Sequence, residues 1–320
     1  MNENGFGVIT KISWLYYVNN CTQQEIADRM NLSRTKVTRH LQKARELGIV
    51  NITISMDHSA CYEKEEQLKK ILKLEEVTVV PSGPDKEDVE QGIGIAGAMR
   101  MNKILSADDV LGVAWGKALY NVGKNLVPVK SVGDKVIQVV QLMGGLTVSA
   151  KINPEEIVQL IARRLNAKGY LLNVPAVVST KEAREVLMND ENISRVFKKI
   201  LTCNKCMLGL GNLTESSSLY ITGALNKRDL EELKEAGAVG DIISRAYDIN
   251  GNPVNTSLSE KLIAASLNDI KKIEKRLGFA SGIDKVKCII GAARGGYINE
   301  LITDEDTADE IIKVINFSTF

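Results

Sequence analysis

Histidine is nearly absent from this 320-residue chain: there are two, His40 and His58, and none beyond residue 60. Proton-transfer catalysis commonly uses imidazole or a carboxylate, so in the long C-terminal part the imidazole route is closed while carboxylates such as Asp241 remain. Cysteine is sparse and odd in number. The five, Cys21, Cys61, Cys203, Cys206 and Cys288, are too scattered for a disulfide framework and suit a reducing compartment. No run approaches the roughly 18 consecutive apolar residues that span a bilayer, and the charged-then-apolar order of a signal peptide is missing. These absences predict a cytoplasmic chain with no membrane partner. A strong net charge is lacking too, but the total of +1 is unevenly divided. Residues 1–56 hold seven basic and four acidic residues, a balance of +3, whereas residues 57–320 hold 34 and 36, a balance of −2. Only the N-terminal part suits a polyanion.

What that part contains is a helix-turn-helix pattern. Thr22-Gln23-Gln24-Glu25 is a capping box that starts a helix, and Ile26, Ala27 and Met30 give it one apolar face. Asn31-Leu32-Ser33 interrupts it: Asn31 tolerates the left-handed backbone of a tight turn, and Ser33 can cap a second helix. There Val37, Leu41 and Ala44 share one face, while Arg34, Lys36, Arg39, Lys43 and Arg45 take other positions. This arrangement suits a recognition helix in the major groove of DNA. The predicted DNA-facing set is Ser33, Arg34, Thr35, Lys36, Thr38, Arg39 and Lys43. Arg34, Thr35, Lys36 and Thr38 are placed for bases, Arg39 for base or phosphate, and Lys43 and Arg45 for phosphate. Residues 6–19, with Ile9, Ile12, Leu15 and Tyr16 on one face, supply a supporting helix. Gly48 ends the second helix, and Val50, Ile52 and Ile54 share a strand face, which predicts a winged variant. His40 is read as a position at the boundary of the core.

Past a polar joint at residues 56–60, β-branched runs alternate with helical patterns, the signature of an α/β body occupying residues 57–320. Strands are predicted at 77–81, 110–115, 135–141, 170–174, 206–211, 240–243 and 287–291, with helices such as 154–168 and 227–236. Near-continuous apolar strands imply a mostly parallel sheet covered on both faces. Ligands bind such sheets beyond the carboxyl ends of strands, where helix N-termini favour anions. Glycines mark three loops of that kind: Trp115-Gly116-Lys117-Ala118, Met143-Gly144-Gly145-Leu146 and Ser281-Gly282-Ile283-Asp284-Lys285. Together they read as a phosphate cradle with a cation at Lys117 or Lys285.

On these residues the chain resembles the SorC-type sugar-binding transcriptional regulators. The likeness runs from Ile26-Ala27-Asp28-Arg29-Met30-Asn31-Leu32-Ser33-Arg34 through Ala44-Arg45-Glu46-Leu47-Gly48-Ile49-Val50 to a C-terminal stretch, Gly291-Ala292-Ala293-Arg294-Gly295-Gly296-Tyr297-Ile298-Asn299 with Leu301-Ile302-Thr303-Asp304-Glu305. The resemblance implies a small winged helix-turn-helix domain over 1–56. It also implies an effector and oligomerisation domain over 57–320, related to ribose-5-phosphate isomerase and glucosamine-6-phosphate deaminase folds. The implied partners are operator DNA, a phosphorylated sugar or polyol, and further copies of the chain in a homodimer or homotetramer. No cofactor or metal is implied. Carried over residue by residue, the effector would lie against Gly116, Lys117, Ala118, Gly144, Gly145 and Leu146. Lys285 and the Ser281-Gly282 backbone would hold its phosphate, and Asp241 would accept bonds from its hydroxyls. Two positions depart from the family pattern: Lys117 and Ala118 stand where threonines are common, and Ser281-Gly282 lacks a usual second glycine.

Two further motifs are set aside. Gly92-Ile93-Gly94-Ile95-Ala96-Gly97 matches the dinucleotide fingerprint, but the segment before it is charged and helical in pattern where a buried strand is required. Its small residues are expected to serve close helix packing. Cys203-Asn204-Lys205-Cys206 lacks a second pair or a nearby histidine, and a helix leads into a strand there, the reverse of the thioredoxin order. Three functional readings remain: an effector-controlled repressor of a carbohydrate-use operon, an isomerase- or deaminase-like enzyme with an accessory DNA reader, and an architectural protein whose C-terminal part only oligomerises.

Overall fold

The structure, a computed structural model, describes residues 3–50, 59–129, 133–146 and 152–317. The chain divides into two compact units, Met1–Asp57 and His58–Phe320. The N-terminal unit is built from α1 (Glu3–Tyr17), α2 (Gln23–Met30) and α3 (Arg34–Glu46). Its local chemistry follows the sequence closely. The Thr22 backbone N–H donates to Glu25 Oε2 at 2.7 Å and the Glu25 N–H to Thr22 Oγ1 at 3.2 Å, closing the capping box at the start of α2. Asn31 adopts the left-handed conformation, φ 52°, and Ser33 caps α3 by accepting the Lys36 N–H at 3.2 Å. Ile12, Leu15, Ile26, Ala27, Val37 and Leu41 meet in one buried core, so α1 supports both helices of the pair. The strand expected over Val50 to Ile54 falls almost wholly at positions 51–58, outside the described residues.

The C-terminal unit carries helices α4 (Ser59–Leu72), α5 (Lys86–Ile104), α6 (Lys117–Asn125), α7 (Pro154–Leu165), α8 (Lys181–Met188), α9 (Glu191–Ile200), α10 (Ser218–Ile221), α11 (Lys227–Glu235), α12 (Leu267–Lys271), α13 (Val286–Arg294) and α14 (Glu305–Phe317). Its strands are β1 (Glu76–Val80), β2 (Val110–Val113), β3 (Gln138–Gln141), β4 (Lys168–Tyr170), β5 (Lys205–Gly209), β6 (Gly240–Ile242), β7 (Arg245–Tyr247), β8 (Lys275–Phe279) and β9 (Glu300–Asp304). Seven of these form one sheet in the order β1-β9-β8-β5-β2-β3-β4, with every pairing parallel. From β2 the chain moves outward to β3 and β4; from β5 it moves the opposite way to β8 and β9. The order therefore reverses between β2 and β5, the place where such sheets open a crevice beyond their carboxyl ends.

The structure corrects several strand assignments. Lys287–Gly291 is helical, inside α13, where Val286, Cys288, Ile289, Ile290, Gly291 and Ala292 are all buried. A helix enclosed on most sides has the same continuous apolar run as a buried strand, and period alone cannot separate them. Gly240–Ile242 forms an antiparallel ribbon with β7, off the main sheet. The strand expected over 170–174 ends at Tyr170, and β8 and β9 form where the sequence pattern predicts no strand. The glycines of the apparent dinucleotide fingerprint lie within α5 and let it pack closely. A Cβ on Gly94 would sit 2.5 Å from Asn121 Cβ on α6, and one on Gly97 would sit 2.5 Å from the Phe279 ring.

Candidate functional site

In the N-terminal unit, burying Val37, Leu41 and Ala44 turns the rest of α3 outward. Ser33, Arg34, Thr35, Lys36, Thr38, Arg39 and Lys43 are all exposed, and no acidic residue lies in the first turn. Two of the hydroxyls already have work: Ser33 caps the helix, and Thr38 donates to Gln23 Oε1 at 2.9 Å and to the Arg34 carbonyl at 3.0 Å. Thr38 thus ties α3 to the start of α2. Arg45 is similarly anchored, its Nε donating to the Tyr17 hydroxyl at 2.9 Å with the guanidinium 5.9 Å from the ring centre. Neither link is readable from periodicity. His40 is partly buried, and its pKa is lowered by that burial and by Lys36 and Lys43, so at neutral pH it adds no charge to this face.

In the C-terminal unit a cleft of about 250 Å³ opens beyond the carboxyl ends of β2, β5 and β8, at the reversal in strand order. The loop after β2 contributes Trp115, Gly116, Lys117 and Ala118. The loop after β8 contributes Ala280, Ser281, Asp284 and Lys285, and Asp241 arrives from β6. Gly116 has φ 113°, a backbone region open to glycine, and stands as N-cap of α6 without any side-chain cap. The first-turn N–H groups of α6 have no partner within the helix, which makes this end favourable for an anion.

Asp241 is the most distinctive group in the cleft. It is 4% exposed; its Oδ2 accepts the Ser244 N–H at 3.0 Å, and its Oδ1 has no hydrogen-bond partner. Burial pushes its pKa up to about 6, against the opposing pull of Lys285 and the Ser244 bond. Gly211 makes room for it, since a Cβ there would lie 1.9 Å from Oδ1. At neutral pH this is an ionised acceptor short of donors, which is chemically suited to a ligand hydroxyl. Lys117 lies 3.9 Å from Glu90, while the Lys285 ammonium forms no hydrogen bond or ion pair among the described residues.

Gly116, Lys117, Ala118, Asp241, Ser281 and Lys285 are therefore brought together. Gly144, Gly145 and Leu146 are not among the cleft-lining residues. The Gly144 N–H donates to the Ile263 carbonyl and the Gly145 N–H to that of Val174, both at 2.8 Å, so these amides stitch neighbouring segments instead. A Cβ on Gly144 would meet the Pro175 backbone at 2.6 Å, which explains the glycine without a ligand. Gly282 is also reassigned. Its N–H donates to Thr307 Oγ1 at 2.7 Å and Asp304 Oδ2 at 3.0 Å, so that amide is not free to bind phosphate. Sequence reasoning missed Lys86, Glu90, Asn212, Ser216, Ser217 and Ser218, which also line the cleft. The run Gly209-Leu210-Gly211-Asn212 carries the same signal, glycine after an apolar strand, as the loops that were found.

A helix-turn-helix unit joined to a parallel α/β body with an anion-suited cleft defines an effector-type transcription regulator. Residues 57–313 match the family described as "Putative sugar-binding domain", and residues 14–47 match sigma-70 region 4. The chain is 30% identical to the sorbitol operon regulator of Klebsiella pneumoniae over 98% of its own length and 99% of the relative. It is 32% identical to the deoxyribonucleoside regulator of Bacillus subtilis over 93% and 95%. The full-length crystal structure of the Klebsiella regulator SorC superposes with a TM-score of 0.77 at 29% identity, covering 97% of this chain and 100% of that one. The chain belongs to the SorC-type family of sugar-binding transcriptional regulators. It is a DNA-binding regulator, and the enzyme reading is without support among relatives that are themselves regulators. No helix among the described residues is long and apolar enough to cross a membrane.

Proposed function

We propose that this regulator represses a carbohydrate-use operon and that a phosphorylated sugar or polyol in the cleft alters its grip on operator DNA. The observation that carries this reading is the buried Asp241 carboxylate, with one unpartnered oxygen, sharing a cleft with Lys285 and the uncapped start of α6. Asp241 would take sugar hydroxyls, and α6 with Lys117 and Lys285 would take the phosphate. The names of relatives, which include regulators of a sorbitol operon, of deoxyribonucleosides and of erythritol catabolism, fit a polyol or sugar class. Ser33, Arg34, Thr35, Lys36, Thr38, Arg39 and Lys43 would face DNA. One reader covers one half-site, so a homodimer or homotetramer is the working form, in the cytoplasm.

The test is a panel of glucitol 6-phosphate, fructose 6-phosphate, deoxyribose 5-phosphate and erythritol 4-phosphate, each scored by thermal shift and by change in affinity for a duplex selected from a random pool. At least one should bind and change DNA affinity several-fold. Silence across the panel in both assays would overturn the effector assignment.

A further inference from the structure

The effector cleft and the first helix of the body are joined by a short series of polar contacts, buried at Asp304 and Thr307 and partly exposed at Lys64, that the ligand site itself does not require. It begins at Gly282, between the cleft residues Ser281 and Asp284. Its φ of 107° belongs to glycine, and its N–H is shared between Asp304 Oδ2 and Thr307 Oγ1. Asp304 closes β9 and also accepts the Thr307 N–H at 3.0 Å and the Thr307 hydroxyl, so it fixes the first turn of α14. Asp304 is 4% exposed and Thr307 fully buried. The cleft loop cannot shift without breaking these bonds or moving the start of α14 with it.

The same turn of α14 holds α4. Lys64 on α4 donates to Glu305 Oε1 at 2.7 Å and Asp309 Oδ2 at 2.8 Å, one turn apart on α14. Burial disfavours the ammonium, but its bonds to Asp309 and Glu305 outweigh that effect and raise its pKa. α4 is also the first helix of the body and follows directly on the joint that leads back to the reader.

We infer that the Gly282–Asp304–Thr307 cluster and the Lys64 bridge form a relay that carries occupancy of the cleft to α4, with Lys64 acting as a positioning residue for the DNA response. The inference rests on the reading that the cleft takes the effector. A ligand drawing on Ser281 and Lys285 displaces the loop, the shared Gly282 N–H passes that displacement to α14, and Lys64 passes it to α4. Coupling between two sites is the ratio of affinities for one ligand with and without the other, so it can be lost while both sites remain intact.

The experiment uses the full-length chain and whichever member of the phosphate panel gives the largest wild-type response. Ligand affinity is measured by calorimetry and DNA affinity with and without ligand. In Lys64→Met, ligand affinity should stay within about twofold of wild type, while the ligand-induced ratio of DNA affinities falls from its several-fold wild-type value to within about twofold of one. Glu305→Gln should act in the same direction, and Lys64→Arg should restore most of the ratio. A wild-type response that persists undiminished in both Lys64→Met and Glu305→Gln overturns the relay and leaves the effector reading standing. A loss of ligand affinity parallel to the loss of coupling also overturns it, since Lys64 would then be supporting the cleft itself. If no phosphate binds the wild type, the effector reading fails and the relay fails with it.

Discussion

Replacing Asp241 by Asn should make the protein more stable at neutral pH and worse at binding its ligand. The carboxyl is pushed up to about 6 from 3.8, and one unit corresponds to about 1.4 kcal/mol, so keeping it ionised in the folded state costs about 3 kcal/mol at pH 7.5. The sign follows from proton occupancy. Between 3.8 and 6 the folded chain holds this proton more tightly than the unfolded chain, so stability falls as pH rises through that window and levels off above it. Asn removes the charge, but its amide nitrogen inherits the unpartnered place of Oδ1, a loss of about 1–3 kcal/mol. The net gain at pH 7.5 is thus modest, about 1 kcal/mol. The pH dependence is the sharper quantity. Between pH 7.5 and pH 4.5 the difference between variant and wild type should shift by about 2 kcal/mol, from about 1 kcal/mol in favour of the variant to about 1 kcal/mol against it. At roughly 2–4 °C per kcal/mol, the difference in Tm shifts by about 4–8 °C over that range, and the variant goes from the higher-melting protein to the lower. Calorimetric melts of both proteins across that range read it directly, and phosphosugar titration should show at least tenfold weaker binding by the variant, since charge-assisted bonds are lost. A gap in Tm independent of pH, or unchanged ligand affinity, would refute the account of Asp241.

Arg34→Ala and Arg39→Ala should each weaken binding to a selected duplex, by about 1–3 kcal/mol where the guanidinium reads a base, with thermal unfolding unchanged; unaltered affinity in both would remove α3 as the reader. Gly94→Ala should lower the Tm of the body through a clash with Asn121, at an expected overpacking cost of about 1–3 kcal/mol, and a melt at the wild-type temperature would show that α5 and α6 can part without penalty. Cys203, whose thiol burial pushes up to about 12, should resist alkylation at pH 8 in the native protein and react after denaturation, as mass spectrometry can follow; rapid native labelling would reopen a redox role for the Cys203–Cys206 pair.

The N-terminal unit was legible because its determinants are local. A capping box, a residue that tolerates the left-handed turn and a second cap fall within Thr22 to Ser33, and the structure places each bond where side-chain chemistry requires it. Legibility fades where tertiary partners decide. The bond from Thr38 to Gln23 spans 15 residues, and that from Arg45 to Tyr17 spans 28. In the body, glycine-marked loops after strands were the visible signal, and it was ambiguous. Gly116 and Gly144 give the same pattern in sequence. Only one opens to the cleft, because β2 borders the reversal in strand order and β3 lies one place further out. Strand order is set by pairings between distant segments, such as β1 with β9, which no window of sequence contains. The missed strand β8 begins with Lys275 and Arg276 and so hides its apolar end, Leu277 to Phe279.

The charge of the cleft argues that recognition depends on arrangement more than on attraction. Lys86, Lys117 and Lys285 face Glu90, Asp241 and Asp284, three cations against three carboxylates. Such a site has little net field with which to gather anions, and a bare phosphate placed near α6 would also meet Glu90, 3.9 Å from Lys117. An unphosphorylated sugar, in turn, would satisfy Asp241 but leave the start of α6 and Lys285 to water. Asn212 donates to Asp284 Oδ2, which fixes one wall of the cleft. Discrimination in such a site comes from joining two weak halves in one molecule, because the second contact is then intramolecular and pays no further loss of translational freedom. A phosphorylated sugar or polyol should therefore bind far more tightly than inorganic phosphate and the parent sugar supplied together. Equal affinity for phosphate alone would mean that Asp241 contributes nothing, despite its unpartnered oxygen.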